Sequence, residues 1–382
     1  MNSTARKIVS GAMALAMSFS MATTASAALI NTEQLKYDSS QALKRIVSDT
    51  ADAAKFNLAA QKADGIWSSQ FSKNGQTAYM LMVNAIKNFQ TSVSIPDVPK
   101  SEFEQFWNVL KKEHPELFYA KNFQRKTFTE ANKHESYTAR WTLDSNARQE
   151  ANAVNQAVSS FLAQAPKNGS DYDKELYVHD KLVQETNYVT GNRTVYNSLV
   201  QHKGNCEGYA YAMKLLLNKL NVPCEVIVGT ASGEGAHAWN RVTLNGKPYL
   251  TDACWDDPTG AGNSHIISHR YFNLSASEMN RDHQATKNSE QSACNNTDQN
   301  FYKKNGMYYS SVADAEKALE TLMQTQTGIQ IQVPNSNMAN QIKQDWKNGT
   351  LKMPAGSHWH LEQSNTQNGF ANGVMIFYAT AQ

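Results

Sequence analysis

Three residues of this chain could together perform nucleophilic chemistry: Cys206, His237 and Asp252. Cys206 opens the stretch "CEGYAYAMKLLLNKL". Apolar or small residues recur there at 209/210, 213, 216/217 and 220, one stripe of a helix that Asn221-Val222-Pro223 stops. Lys203-Gly204-Asn205 forms a flexible lead-in. The first helical turn presents unpaired N–H groups and the positive end of the dipole, so a cysteine there has its thiolate, the nucleophilic form, stabilised. A cysteine at that place also suits a small buried residue of a core. A base within reach separates the two readings.

The stretch "GAHAWNRVTLNGKPYLTDACWDDP" supplies the base. Asn245-Gly246 between two alternating runs is the sequence pattern of a two-residue hairpin turn. With that turn Leu244 faces Lys247, and counting outward pairs Trp239 with Asp252 and His237 with Cys254. The period of two then puts His237, Trp239, Asp252 and Cys254 on one face. His237 and Asp252 become diagonal neighbours, roughly 7–8 Å apart at the backbone and within reach of one another. The histidine takes the thiol proton, while the carboxylate fixes the ring tautomer and stabilises the imidazolium. A helix N-terminus bearing Cys206 and facing this sheet completes a Cys-His-Asp triad.

The elements that must position these residues follow from periodicity. Residues 31–135 read as mostly helical. "SEFEQFWNVLKKEHPELFY" opens on a Ser101/Glu104 capping box and places Phe103, Phe106, Trp107 and Leu110 on one stripe. "YTARWTL" alternates like a strand, 145–164 is helical, and from Asp171 the order is helix to Glu185, loop, helix 206–220, then short strands. Beyond 310 come a helix from Val312 to Gln324, the strand "GIQIQV", a helix over 336–346, and strands in "HWHLEQ" and "GVMIFYA". The fold class is α+β. The expected division is a leader over 1–27, a mostly helical region over 28–145, a catalytic core over 146–310, and a small α+β domain over 311–382.

The blocks "GNCEGY", "HAWN" and "DACWDDP", in this order and spacing, resemble the transglutaminase-like superfamily, specifically its secreted bacterial members. "YVHDKLVQETNY" upstream and "SHRYFNLSASEMNRDH" downstream extend the likeness. It covers about 170–310, reaches weakly over 80–120 and does not include 311–382. The resemblance implies a papain-like core, a cysteine helix packed on an antiparallel sheet, with nucleophile Cys206, base His237 and orienting acid Asp252. It also implies acyl transfer from peptide or protein amides. The superfamily holds transglutaminases, peptidases, amidases and members without catalysis, so the reaction stays open between an amine and a water acceptor. A non-catalytic binding module at the cell surface is the alternative. Cys254 stands where the family more typically has threonine; opposite His237 by the hairpin count, it suggests a redox role or a competing bridge. If a disulfide forms, Cys254 with Cys294 is the expected pair.

The remaining candidates are weaker. The backbone N–H of Cys206 and the side chain of Gln201 are candidate oxyanion donors, and Trp239 is a candidate wall of the acyl groove. His265, His269, His283, His358 and His360 match no metal spacing and read as solvated, and Asp256-Asp257-Pro258 reads as a turn. No cofactor or metal is expected.

Composition bounds the setting. Arg6-Lys7, an apolar stretch to about Met21 and "TTASA" read as a secretory signal peptide cut after Ala27. Removing it takes the formal charge from +2 to zero, which offers nothing to nucleic acid or an anionic membrane. No later apolar run is long enough to span a bilayer. About 355 remaining residues call for two or three domains, and four cysteines are too few for a disulfide framework. The expectation is an exported enzyme whose partner is a protein or peptide substrate, a cell-envelope component among the candidates.

Overall fold

The computed structural model describes residues 67–129, 135–257, 266–354, 357–362 and 371–380. The leader reading, the residues before Trp67 and His265 lie outside the described residues. All described residues belong to one unit, Lys62–Gln382.

The first layer holds helices α1 (Lys73–Lys87) and α2 (Phe106–Glu113) against a sheet of β1 (Ser92–Ile95), β2 (Ala120–Thr129) and β3 (Glu135–Leu143), ordered β1-β3-β2 and antiparallel. The expected mostly helical region therefore carries strands as well. β2 is exposed along nearly its whole length, so no apolar alternation marks it in the sequence. The helix expected from Ser101 is broken into Lys100–Phe103 and α2. Pro99 precedes it without a side-chain cap, and Glu102 instead accepts from Ser72 N and Oγ at 2.5 and 2.9 Å, fixing the start of α1. The stripe is internal as expected: Phe103, Phe106 and Leu110 are buried and Trp107 packs beside them.

The second layer begins with α3 (Ala147–Phe161) and α4 (Asp171–Glu185), the latter opened by a Ser170/Asp173 capping box. β4 (Asn187–Tyr188), α5 (Val195–Val200) and β5 (Lys203–Gly204) lead into α6 (Cys206–Lys219). A four-stranded antiparallel sheet follows, ordered β8-β7-β6-β9, of β6 (Cys224–Ala231), β7 (Gly235–Leu244), β8 (Lys247–Thr251) and β9 (His283–Ala285). Asn245 and Gly246 both have positive φ, 51° and 77°, and Leu244 pairs with Lys247, the expected turn and register.

The helix α6 docks on the sheet face that bears Ala238, Asn240 and Val242, whereas His237 and Trp239 point to the other face. Asn240 fastens this contact: its amide donates to Ala210 O in α6 at 2.9 Å and to Glu225 O in β6 at 3.3 Å. Lys214, buried in α6, donates to Cys224 O at 3.0 Å. The third layer packs α7 (Val312–Leu322) and α8 (Ser336–Lys347) on a sheet ordered β10-β12-β11, of β10 (Gly328–Gln332), β11 (His358–Leu361) and β12 (Val374–Thr380).

Gly229, in the middle of β6, faces His237 on β7 and Ala285 on β9. A Cβ there would lie 2.1 Å from Gln284 O and 2.7 Å from Trp239 Cη2, so the three strands close only over a glycine. Gly229→Ala is expected to destabilise the protein by about 1–3 kcal/mol, the cost of overpacking. Urea unfolding monitored by tryptophan fluorescence measures it, and an unchanged midpoint would refute the close approach.

Candidate active site

Cys206 is the first residue of α6, and Asn205 before it caps the helix by accepting from Gly208 N at 3.2 Å. Cys206 is 9% exposed. His237 lies near the start of β7, beyond the end of the β8 ladder: β8 stops at Thr251 opposite Asn240, so among the described residues that edge of β7 has no strand partner beside His237. This gap brings a side chain from the helix start and one from the opposite sheet face together around the strand edge. The Cys206 thiol is near enough to act on the charge of the His237 imidazole, although Nδ1 makes no hydrogen bond.

Asp252 is the residue after β8. Its N–H points away from β7, as that of Leu250 does, and donates to Tyr271 O at 2.9 Å, while the side chain stands on the His237 face. Asp252 Oδ2 accepts from His237 Nε2 at 2.6 Å, and both residues are buried. That leaves His237 Nδ1 for the thiol; Glu234 Oε2 stands 3.4 Å from the same nitrogen. Asp252 Oδ1 accepts from Cys254 N and Trp255 N at 3.0 and 3.2 Å. The expected pairing of His237 with Cys254 does not form, because residues 253–256 turn away from the sheet.

The electrostatics follow from burial against pairing. Burial works against protonated His237, but the Asp252 carboxylate outweighs it and the thiol adds to the pull, pushing His237 up to about 10. Burial alone would raise Asp252; His237 and then His283 hold it well below the usual carboxylate range. Burial pushes the Cys224 and Cys254 thiols up, and Cys294 to about 12, so these three are protonated and unreactive at neutral pH. All four thiols are free. The expected Cys254–Cys294 pair is not made: Cys254 belongs to the core under α6 and Cys294 to the cluster on the far face of the sheet.

Several expectations are corrected by burial. Trp239 is fully enclosed between Ile227, Leu250 and Tyr271, so it is core rather than groove wall. Gln201 is an exposed residue ending α5, its side-chain oxygen accepting from Asn197 at 2.8 Å, and none of its described contacts reaches Cys206. His269 and His283 are buried, not solvated, whereas His358 and His360 are exposed. Asp256 is buried too: it accepts from Ser268 Oγ at 2.9 Å and from Tyr271 N at 3.1 Å, and it bonds His179 Nε2 at 3.2 Å.

Two clusters bring three imidazole and carboxylate atoms within 4.8 Å of one another: His237, Asp252, His283 and His179, Asp180, His269. In each, one carboxylate oxygen serves two rings at hydrogen-bond distance. Asp180 Oδ1 takes His179 Nδ1 at 2.9 Å and His269 Nε2 at 2.8 Å. These bonds, with Asp256, pin α4 to the segment that follows the hairpin. Sequence reasoning gave no role to His179, Asp180, Asn240, Asp282 or His283, although "YVHDKL", "HAWN" and "MNRDH" display them. Side-chain partners far apart in sequence carry no periodic signal.

Residues 160–253 match the sequence profile of the Transglutaminase-like superfamily. No curated protein sequence matches the chain. Among solved structures, a cysteine-protease candidate of Cytophaga hutchinsonii is 13% identical over 35% of this chain and 62% of its own, TM-score 0.25. A TGase is 16% identical over 46% and 52%, TM-score 0.25. Calcium-bound LapG of Legionella pneumophila is 18% identical over 37% and 75%, TM-score 0.22. The chain thus spans less than two thirds of the first two, and likenesses this partial do not bear on the reaction. The α+β core with its cysteine helix on an antiparallel sheet is a transglutaminase-like domain. The likeness to the transglutaminase-like superfamily lies in residues 160–253, which carry Cys206, His237 and Asp252.

His179, pushed up to about 9, and His237, pushed up to about 10, keep their protons in the folded chain, with burial opposing and their carboxylate partners prevailing. A histidine whose folded pKa is raised stabilises fully below its unfolded value of about 6.5, and the contribution is lost as pH rises through the folded value. Melting temperature is therefore expected to fall as pH climbs from about 6.5 to between about 9 and 10, and to level off above that. Calorimetry across the alkaline range measures this, and a flat profile would contradict the buried imidazolium pairs.

Proposed function

We propose that the protein is an exported thiol acyl-transfer enzyme acting on peptide or protein amides, with Cys206 as nucleophile, His237 as base and Asp252 as orienting acid. The observation that carries the reading is the buried 2.6 Å contact of His237 Nε2 with Asp252, which leaves Nδ1 unbonded on a ring whose charge a cysteine at a helix N-terminus influences. His237 takes the thiol proton and leaves a thiolate–imidazolium pair. The thiolate attacks the amide carbonyl, and the oxyanion falls to the backbone N–H of Cys206 and the positive end of α6. The imidazolium then protonates the departing amine, and a thioester remains. An amine or water resolves it, giving transglutaminase or peptidase/amidase chemistry respectively. The substrate is a protein or peptide, with cell-envelope proteins the natural target of an exported enzyme. Export rests on the leader-like 1–27, and mature protein starting at Ala28 by N-terminal sequencing is its check. Among the described residues no helix is long and apolar enough to cross a membrane.

Mass spectrometry of the protein with a glutamine-containing donor peptide, with and without a primary amine, tests the reaction. The expected result is an acyl adduct on Cys206, and the product's mass tells amine from water. Cys206→Ala is expected to abolish turnover with the fold retained, since little volume is lost. His237→Ala should slow alkylation of Cys206 by iodoacetamide near neutral pH, and Asp252→Asn should do so less completely. If wild type and His237→Ala give superimposable rate–pH curves with the thiol titrating near about 8.5, no activated thiol exists and a binding module takes the place of the enzyme.

A further inference from the structure

The acid of the proposed triad does not serve one histidine. Asp252 Oδ2 accepts from His283 Nε2 at 3.0 Å as well as from His237 Nε2 at 2.6 Å. His283 is 1% exposed, at the first position of β9. Its Nδ1 meets Asp282 Oδ1 at 2.6 Å, and Asp282 Oδ2 accepts from Tyr271 Oη at 2.7 Å. The fold arranges this through β6, which pairs with β7 on one side and β9 on the other, so that Gly229 lies opposite His237 and Ala231 opposite His283. Over these small residues the two rings come within 5.4 Å, and Trp255 packs edge-to-face on His283 at 4.4 Å.

We infer that His283 is a positioning residue of the proposed site: by sharing one oxygen of Asp252 with His237, it sets how tightly the acid holds the His237 imidazolium. The inference rests on the acyl-transfer reading for its consequence in catalysis, but not for its geometry. Both nitrogens of His283 face carboxylate oxygens, a condition met without loss when both carry protons, so His283 is a buried cation. Burial opposes that charge; Asp252 and Asp282 overcome it and raise the group above its ordinary value. The groups that face His283 are His237 on β7, Asp252 after β8, Asp282 beside it and Tyr271 through Asp282; Trp239 and Trp255 are uncharged.

From His237 outward the charges alternate along His237, Asp252, His283 and Asp282. A second cation on Asp252 draws off part of the carboxylate's hold on His237. An imidazolium held too tightly is a poor acid, and His237 must give its proton to the departing amine. His283 thus keeps the pair strong enough to form the thiolate and weak enough to complete the step.

The test is a titration of the His237 ring by NMR on histidine-labelled full-length protein, with the signal assigned by its loss in H237Q. In H283Q the amide keeps a donor to Asp252 but no charge, so His237 is expected to titrate higher by about half to one pH unit. D282N removes the carboxylate that keeps His283 charged and should shift His237 the same way by less, which secures the test if H283Q does not fold. A purely structural His283 would lower the melting temperature and leave His237 where it was; an unchanged or lowered His237 titration in folded H283Q or D282N overturns the inference. Alkylation of Cys206 in wild type and His237→Ala decides the thiol reading by itself. A shifted His237 beside an unactivated Cys206 would keep His283's role and remove the enzyme.

Discussion

A carboxylate buried as deeply as Asp252 can remain ionised only if its surroundings supply the charge and hydrogen bonds that water would have given. The rest of the candidate site is arranged to meet that demand. Two backbone N–H groups in the turn after β8 hold one oxygen and two imidazoles hold the other. Once the carboxylate is fixed in that state, the ring of His237 has one orientation, with Nε2 bound and Nδ1 free to meet Cys206. The same demand accounts for the length of β8. If the ladder ran on past Thr251, the chain could not turn to bring the N–H groups of Cys254 and Trp255 onto Asp252 Oδ1, and the flank of His237 would be closed.

The thiol arrives from the other side of the sheet, so the register between helix and strands must be held independently. Asn240 does this by donating to a carbonyl of α6 and one of β6 together, a three-way tie that fails if the helix slides or turns. Asn205 sets where the helix begins, so that its positive end and Cys206 coincide. The cluster of His179, Asp180, His269 and Asp256 serves the far side of the layer: imidazole and carboxylate again meet in the interior, here to join α4 to the segment after the hairpin. Two buried polar networks in one domain make its core expensive to assemble wrongly, because a partly made network leaves unpaired charges inside.

Much of the site was legible in the sequence. Cys206 at a helix start, the hairpin register set by Asn245-Gly246, and the approach of His237 to Asp252 all follow from local rules: a 3.6-residue period, a period of two, and a turn that demands positive φ. Other positions went astray for equally local reasons. The Ser101 capping signal lost to Pro99 and to a long-range bond between Glu102 and Ser72. β2 has no buried face for alternation to announce.

What the sequence determined by itself was therefore the candidate residues Cys206, His237 and Asp252 and the elements that carry them, because short-range backbone geometry dictates both. Which face of the sheet α6 covers, where β8 ends, and that His283 joins Asp252 were decided only by the tertiary structure. Each depends on residues tens of positions apart competing for the same buried donors and acceptors. His283 lies 31 positions from Asp252 and Asn240 lies 30 from Ala210. Such pairs leave no trace in periodicity, since their choice is made by which arrangement leaves the fewest buried polar groups unsatisfied.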